Sequence, residues 1–381
     1  MRQKKILIVT GTRAEYGLLR STMDAIVAHP RLELKLLVTG IHTLKTYGNT
    51  AEQITNDGYT VAFTVSVQDK NTMPEMLAVE LAGISQYLEE LRPDCVLVLG
   101  DRDEPFAAAV AAAHLGIPVA HIHGGDVSGP GVDELLRHAI TKLSHLHFPG
   151  THKSALRIKA LGEESWRITD TGSVCLDILT QGHVFSREEV AQKLGLDVSR
   201  PWFVVLHHAT ALDTTASVSV QIASVLDAAA AFPEFEKIVI YPNSDTGSDV
   251  FIKKIEALKG ERYHVHKSLP RELFVGALKG SDALVGNSSA GIIEAALLGT
   301  PTINVGNRQL GREASTSVLH VSYDTKKIAT AIKKAVALNK KQKGKPFASP
   351  YGKGGVGKKI AEVLAKQLDN PKLMRKKPPV A

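Results

Sequence analysis

Ile117-Pro-Val-Ala-His-Ile-His-Gly-Gly-Asp126 is the stretch on which the reading of the fold turns. Its first six residues have the pattern of a buried strand, and the next four form a glycine-rich turn carrying a base and an acid. A helical pattern, Asp133–Leu143, follows. Strand, turn and helix in that order are the repeating unit of parallel α/β sheets, whose ligands bind outside the carboxyl ends of the strands. His121, His123, Asp126, Asp133, Glu134 and Arg137 are therefore candidates for chemistry by position alone. Two histidines at i and i+2 on one strand would face the same side.

The same rhythm runs outward in both directions. Apolar runs at Lys5–Val9, Leu34–Val38, Cys95–Leu99 and Ile117–Ile122 precede a gap, and others follow at Phe203–Leu206, Lys237–Ile240, Ala283–Val285 and Thr302–Val305. Helices are predicted between them at about Tyr16–His29, Met73–Leu91, Pro105–Leu115, Ser217–Ala231, Pro270–Leu278, Gly291–Leu298 and Lys326–Ala337. Asp103 before Pro105 suits an N-cap followed by proline in the first turn. The rhythm fails around Thr171–Arg200, and a chain of 381 residues is long for one core. The sequence thus divides into two Rossmann-like α/β domains, 1–177 and 178–355, facing across a cleft, followed by a helix pattern and basic tail at 356–381.

With 44% hydrophobic and 22% charged residues the composition is that of a soluble globular protein, and no apolar run approaches the roughly 18 residues of a bilayer span. The start of the chain reads as a first strand rather than a signal peptide, which implies a cytoplasmic protein with no membrane partner. Cys95 and Cys175 stand far apart without a CxxC pair, so neither a disulfide scaffold, a metal site nor a cofactor is expected. Much of the +7 formal charge lies in Lys340-Lys341-Gln-Lys343 and in Lys372 to Lys377, which read as solvated ends. The remainder suits a small polyanionic substrate better than nucleic acid, because no aromatic and basic residues interleave.

Several turns carry suitable groups. Gly11-Thr-Arg-Ala-Glu-Tyr-Gly17 opens a helix beside Arg13 and can hold a phosphate, yet it matches neither GxGxxG nor a Walker motif. Gly100-Asp-Arg-Asp-Glu104 puts Asp101, a candidate general base, and Arg102 at a strand end. Asp133 and Arg137 have the spacing of a helical pair, with Lys142 one turn on. In the second half lie His207-His208, Pro242-Asn-Ser-Asp-Thr-Gly247 and Gly286-Asn-Ser-Ser-Ala-Gly-Ile-Ile-Glu294. There Ser288 and Ser289 can meet a pyrophosphate at a helix start, Glu294 can accept ribose hydroxyls, and Arg308 and Arg312 can complete an anion site.

Taken together, Thr10-Gly-Thr-Arg-Ala-Glu-Tyr16, Gly100-Asp-Arg102, Gly124-Gly-Asp-Val-Ser-Gly129, Arg137-His-Ala-Ile-Thr-Lys142, Pro242–Gly247 and Gly286–Gly291 give a chain that resembles the UDP-N-acetylglucosamine 2-epimerase family over nearly its whole length. The Arg137–Lys142 signature resembles the hydrolysing branch, which supplies sugars for sialic-acid-like compounds. The resemblance implies the GT-B fold, a homodimer or homotetramer, and conversion of UDP-GlcNAc to ManNAc and UDP through a 2-acetamidoglucal. It implies nucleotide contacts from Arg13, His208, Asn243, Ser288, Ser289, Glu294 and Arg308, with Arg102, Arg137 and Arg312 as further substrate contacts. Asp101 and Asp133 match catalytic acids of the family, and His208 would act on the departing UDP. Where several relatives carry a glutamate this chain has His123, leaving His123, Asp126 and Glu134 as candidates for one acid/base place. Alternatives are the same reaction on a UDP-2,4-diacetamido-2,4,6-trideoxy sugar, a GT-B glycosyltransferase, and a non-catalytic UDP-sugar sensor.

Overall fold

A computed structural model of the chain describes residues 2–44, 51–68, 71–127, 132–181, 184–210, 213–243, 246–342 and 344–377. Ser128, Gly129, Ser244, Asp245 and Lys343, which belong to motifs quoted above, lie outside the described residues. The chain forms two units: residues 1–178 with 351–381, and residues 179–350.

The first unit runs β1 (Lys4–Thr10), α1 (Arg13–Ala28), β2 (Leu32–Val38), α2 (Ala51–Asn56), β3 (Val61–Thr64), α3 (Met73–Leu91), β4 (Cys95–Leu99), α4 (Asp103–His114), β5 (Val119–Ile122), α5 (Val132–Leu143), β6 (Leu146–Phe148) and α6 (His152–Ala160). Its six strands are parallel in the order β3-β2-β1-β4-β5-β6. Side chains alternate across a strand, so Ile6 and Ile8 of β1 pack with Tyr16, Leu19 and Met23 of α1 on one face. Leu7 and Val9 pack on the other with Ala107, Ala108 and Ala111 of α4. Cover on both faces is why the central strands read as unbroken apolar runs.

After a short helix, α7 (Asp177–Gln181), the second unit runs α8 (Arg187–Leu194), β7 (Trp202–Leu206), α9 (Val218–Ala230), β8 (Glu236–Ile240), α10 (Ser248–Glu256), β9 (Tyr263–His266), α11 (Arg271–Lys279), β10 (Ala283–Gly286), α12 (Ser289–Ile293), β11 (Thr302–Val305), β12 (Val318–Val321) and α13 (Thr325–Gln342). Its strands are also parallel, ordered β12-β11-β10-β7-β8-β9. Counted within each unit, both sheets have the same 3-2-1-4-5-6 order. Each therefore has its topological switch point between its first and fourth strands, the place where such sheets bind ligands.

The chain then returns to the first unit as α14 (Val356–Gln367), whose Ile360 and Leu364 join the core under α1. Asp177 accepts the Val356 and Gly357 amides at 2.9 and 2.7 Å and so caps α14 across the sequence. Beyond it, buried Arg167 donates to the carbonyls of Lys372, Leu373 and Arg375. Lys376 reaches the Lys142 and Ser144 carbonyls at 2.7 Å and Glu163 at 2.8 Å. The tail was expected to be solvated; Lys376 instead sits in an ion-pair network, because Glu163 is buried and held down to about 2, against its burial, by His147, Lys142 and Lys376. Lys340 and Lys341 are exposed, as expected.

Two helix expectations need correction. Asp103 is not the cap of α4: Arg102 takes the N-cap position without a side-chain capping bond, and Asp103 and Glu104 fill the first turn. The helix expected over Gly291–Leu298 ends at Ile293, followed by hydrogen-bonded turns. Among the described residues no helix is long and apolar enough to cross a membrane.

Candidate active site

In the first unit one side chain organises the strand ends. Arg137 lies on α5 and is only 3% exposed. Its guanidinium pairs with Asp101, just past β4, and with Glu134 one turn back on α5. It also donates to the Asp126 carbonyl at 2.9 Å. A single delocalised cation thus ties three separate segments, as the guanidinium fork allows. The helical pair expected between Asp133 and Arg137 is replaced by Glu134 and Asp101, and Asp133 is exposed in the first turn of α5. Lys142 pairs with Glu163 at 2.6 Å on the far end of the helix.

The two histidines do not share a strand face. β5 ends at Ile122, and His123 has φ 64°, a left-handed conformation costing about 1–2 kcal/mol for a residue with a Cβ. The reversal buries His121 and brings His123 out. His121 donates from Nε2 to the Gly100 carbonyl at 2.7 Å and accepts from Thr141 at Nδ1, 3.2 Å away. Burial pushes its pKa down to about 3, so it is a neutral brace beneath the Asp101 turn. The half-buried His123 lies with Nε2 3.2 Å from the Ser173 hydroxyl and Nδ1 3.6 Å from Asp126 Oδ2. Asp126 Oδ1 accepts the Ser154 hydroxyl at 2.7 Å. Asp101, Glu134, Arg137, Asp126 and His123 therefore form one linked acid/base group.

At the switch point of this unit the turns after β1 and β4 meet. Thr12 caps α1, and Arg13 is its exposed first residue. Arg102, offered above as a substrate contact, pairs with Glu104 at 3.2 Å and remains partly exposed. Beneath them lie acids that sequence reasoning did not single out. Glu15, Glu80 and Glu104 are buried near Thr10, Thr39 and His42. Burial, then the charge of Glu104, push Glu15 and Glu80 each up to about 8. Burial alone takes His42 down to about 4. Glu80 was findable: it falls four residues before Ile84 and eight before Leu88, on the buried stripe of α3.

In the second unit the two turns at the switch point are joined through an asparagine and a histidine, with Arg308 added from the turns after β11. Gly286 at the end of β10 has φ 143°, and any Cβ there would collide with the Leu206 carbonyl of β7. That close approach lets Asn287 accept the His208 amide at 2.7 Å and return a bond to the His208 carbonyl at 2.9 Å. The Asn243 amide donates to His208 Nδ1 at 3.0 Å, which leaves the proton of the neutral imidazole on Nε2. Arg308 and Gln309 both donate to the Asn287 carbonyl, at 3.3 and 2.8 Å. Ser288 caps α12 through the Ala290 amide, and Ser289 is half-buried beside it. Arg312 follows, half-buried, in the turns after β11. Glu294 closes α12 and is paired with Arg271, with burial raising its pKa. His207 is a packing residue, fully buried and stacked on Phe251 at 5.4 Å.

Among the described residues no group of three or more His, Cys, Asp or Glu is arranged to hold a metal ion. A family model described as UDP-N-acetylglucosamine 2-epimerase matches residues 24–365. The chain is 37% identical, over 95% of each chain, to the UDP-N,N'-diacetylbacillosamine 2-epimerase (hydrolyzing) of Legionella pneumophila. It is 36% identical to the UDP-N-acetylglucosamine 2-epimerase of Neisseria meningitidis serogroup B, covering 97% of this chain and 96% of that one. A solved structure described as a UDP-N-acetylglucosamine 2-epimerase from Listeria monocytogenes superposes over 100% of both chains with a TM-score of 0.80 at 18% identity, so the fold expected from the sequence is the one observed.

Proposed function

Because this chain belongs to the UDP-N-acetylglucosamine 2-epimerase family, we propose that it is a hydrolysing epimerase converting UDP-GlcNAc to ManNAc and UDP. The observation that carries this reading is the linked group Asp101, Arg137, Glu134, Asp126 and His123 at the strand ends of the first unit. The C2 hydrogen of the sugar is not adjacent to a carbonyl, so it becomes removable only as UDP leaves C1. A base takes that proton while the C1–O bond breaks and its electron pair departs with UDP, giving a 2-acetamidoglucal. Water then adds across the double bond: hydroxyl joins C1, and an acid delivers a proton to the opposite face of C2. Acid and base must therefore be distinct groups.

Asp101 is the base in this scheme, its carboxylate oriented by the Arg137 guanidinium. Asp133 and either His123 or Asp126 serve the other proton transfers. The left-handed backbone at His123 supports the imidazole, since strain of this kind collects at working residues. Arg13, the Asn287-braced His208, Asn243, Ser288, Ser289 and Arg308 would hold UDP and stabilise its leaving charge. Glu294 would bind ribose only by giving up or sharing Arg271. The proposal includes a cytoplasmic homodimer or homotetramer, which light scattering after size exclusion checks.

The relative from Legionella pneumophila favours a second substrate, a UDP-2,4-diacetamido-2,4,6-trideoxy sugar. Product NMR from both donors in deuterated water tests the whole reading. Free UDP and the 2-epimeric sugar carrying deuterium at C2 are expected without any acceptor. Retained protium refutes elimination; a need for an acceptor indicates a glycosyltransferase; binding without turnover indicates a sensor.

A further inference from the structure

Among the described residues, the first-unit switch point sets three buried carboxyls around a single bonded guanidinium. Glu15, Glu80 and Glu104 are 5%, 1% and 3% exposed. They come from α1, α3 and α4, and the cation among them is Arg102, which is bonded to Glu104. The Glu104 carboxyl fills the space a Cβ would take at both Gly11 and Gly40, so it is wedged against the turn after β1. Glu15 Oε2 accepts the Gly11 amide at 2.8 Å, and the Thr10 hydroxyl lies 3.4 Å away. Its other oxygen, Oε1, is buried and finds no hydrogen-bond partner among the described residues. A carboxylate with an orphan oxygen in such a place is costly; a carboxylic acid is much less so.

We propose that Glu15 is a positioning residue: by holding the Gly11 amide it fixes the turn on which Arg13 and the first amides of α1 face the leaving UDP. It does this as the neutral acid. The inference rests on the nucleotide reading above, and adds to it a reason for the burial. A charged carboxylate behind the turn would repel the pyrophosphate and compete for the same amides, whereas the protonated form supplies the acceptor without the charge. The groups facing Glu15 are Glu104 of α4, Arg102 at the N-cap of that helix and, through Thr10, His42 of the short helix Gly40–Thr43; Glu80 of α3 lies beyond Glu104. The raised pKa of Glu15, about 8, agrees with the geometry. Bound UDP adds negative charge nearby and raises it further, so nucleotide binding above neutrality takes up a proton.

The test is calorimetry of UDP binding to the full chain at pH 7 and 8.5, in two buffers of different ionisation enthalpy. Wild type is expected to take up part of a proton at pH 8.5, and Glu15→Gln to lose that uptake. Glu15→Ala is expected to raise Kd about tenfold at pH 7 through a loosened turn, with Glu15→Gln rescuing most of the loss. Equal proton uptake in wild type and the Gln variant, or a Gln variant as weak as the Ala variant at pH 7, overturns the inference. Absence of UDP binding by wild type overturns the nucleotide reading instead. In that event amide exchange still judges the tie: Gly11 should be protected in wild type and exposed in Glu15→Ala, and protection in both removes the positioning role.

Discussion

Both units wind six parallel strands in the same order, yet the side chains gathered at the two switch points differ in kind. In the first unit the turns after the first and fourth strands are packed with ionisable groups: Glu15, Glu80, Glu104, Arg102 and Asp101, the last paired with Arg137 from the helix after the fifth strand. In the second, the equivalent turns are joined by an asparagine, an imidazole with an assigned acceptor nitrogen, and backbone amides. Groups that exchange protons are concentrated on one sheet, and fixed donors on the other. The fold supplies a crevice in each case; the chemistry comes from what fills it.

This division predicts how the two units fail. The largest effect is expected at Asp101: Asp101→Asn should lower kcat about 10³- to 10⁴-fold while changing the Kd for UDP by less than about threefold. Near-normal turnover would remove the base role. Next, Arg137→Met leaves the Asp101 and Glu134 carboxylates without their buried cation; about 3–5 kcal/mol of stability should be lost on denaturant titration. Arg137→Lys should keep part of it. A smaller and opposite signature belongs to the second unit, where Asn287→Ala should raise the Kd for UDP about 30-fold with kcat within about fivefold. A kcat loss as large as the affinity loss would erase the distinction between the units.

The smallest effect is thermal and pH-dependent. Glu80 is raised in the folded protein from 4.5 to about 8, so the stability it permits is complete below about pH 4.5 and declines as pH rises through 8. Melting temperature should fall by a few degrees between pH 6 and 9, and less in Glu80→Gln. The buried imidazoles act at the other end. His121 and His207, each lowered to about 3, lend stability above about pH 6.5 and lose it as pH falls. Acid should therefore weaken both units, whereas the Glu15 and Glu80 losses on the alkaline side fall on the first.

The eight strands read from sequence are the eight interior strands of the two sheets. The four that were missed, β3, β6, β9 and β12, are the four edges. Interior strands are covered on both faces and carry long apolar runs, which leaves a plain signal. Val61–Thr64, Tyr263–His266 and Val318–Val321 keep polar or exposed positions, and Leu146–Phe148 is only three residues long. At the site, residue types were legible and partners were not. Arg137 stood out, but its bond to Asp101 joins residues 36 apart and depends on two strands lying side by side. His121 and His123 were misread because a period-two argument cannot anticipate a left-handed residue at the strand end. Of the acids under the first turn, Glu80 lies on the periodic buried stripe of α3 and was passed over, whereas burial of Glu104 follows from helix packing and leaves no local pattern.

The return of residues 351–377 to the first unit has a consequence for how the protein is made. The second unit is continuous in sequence, so a ribosome that has extruded residue 350 has delivered everything that unit requires. The first unit at that moment still lacks α14 beneath α1, the amides that Asp177 caps, and the carbonyls that Arg167 grips. Within these 381 residues the half that carries Asp101 and Arg137 is begun before the other and completed after it. The usual N-to-C order of domain maturation is thereby inverted, and α1 carries an open apolar face through most of translation.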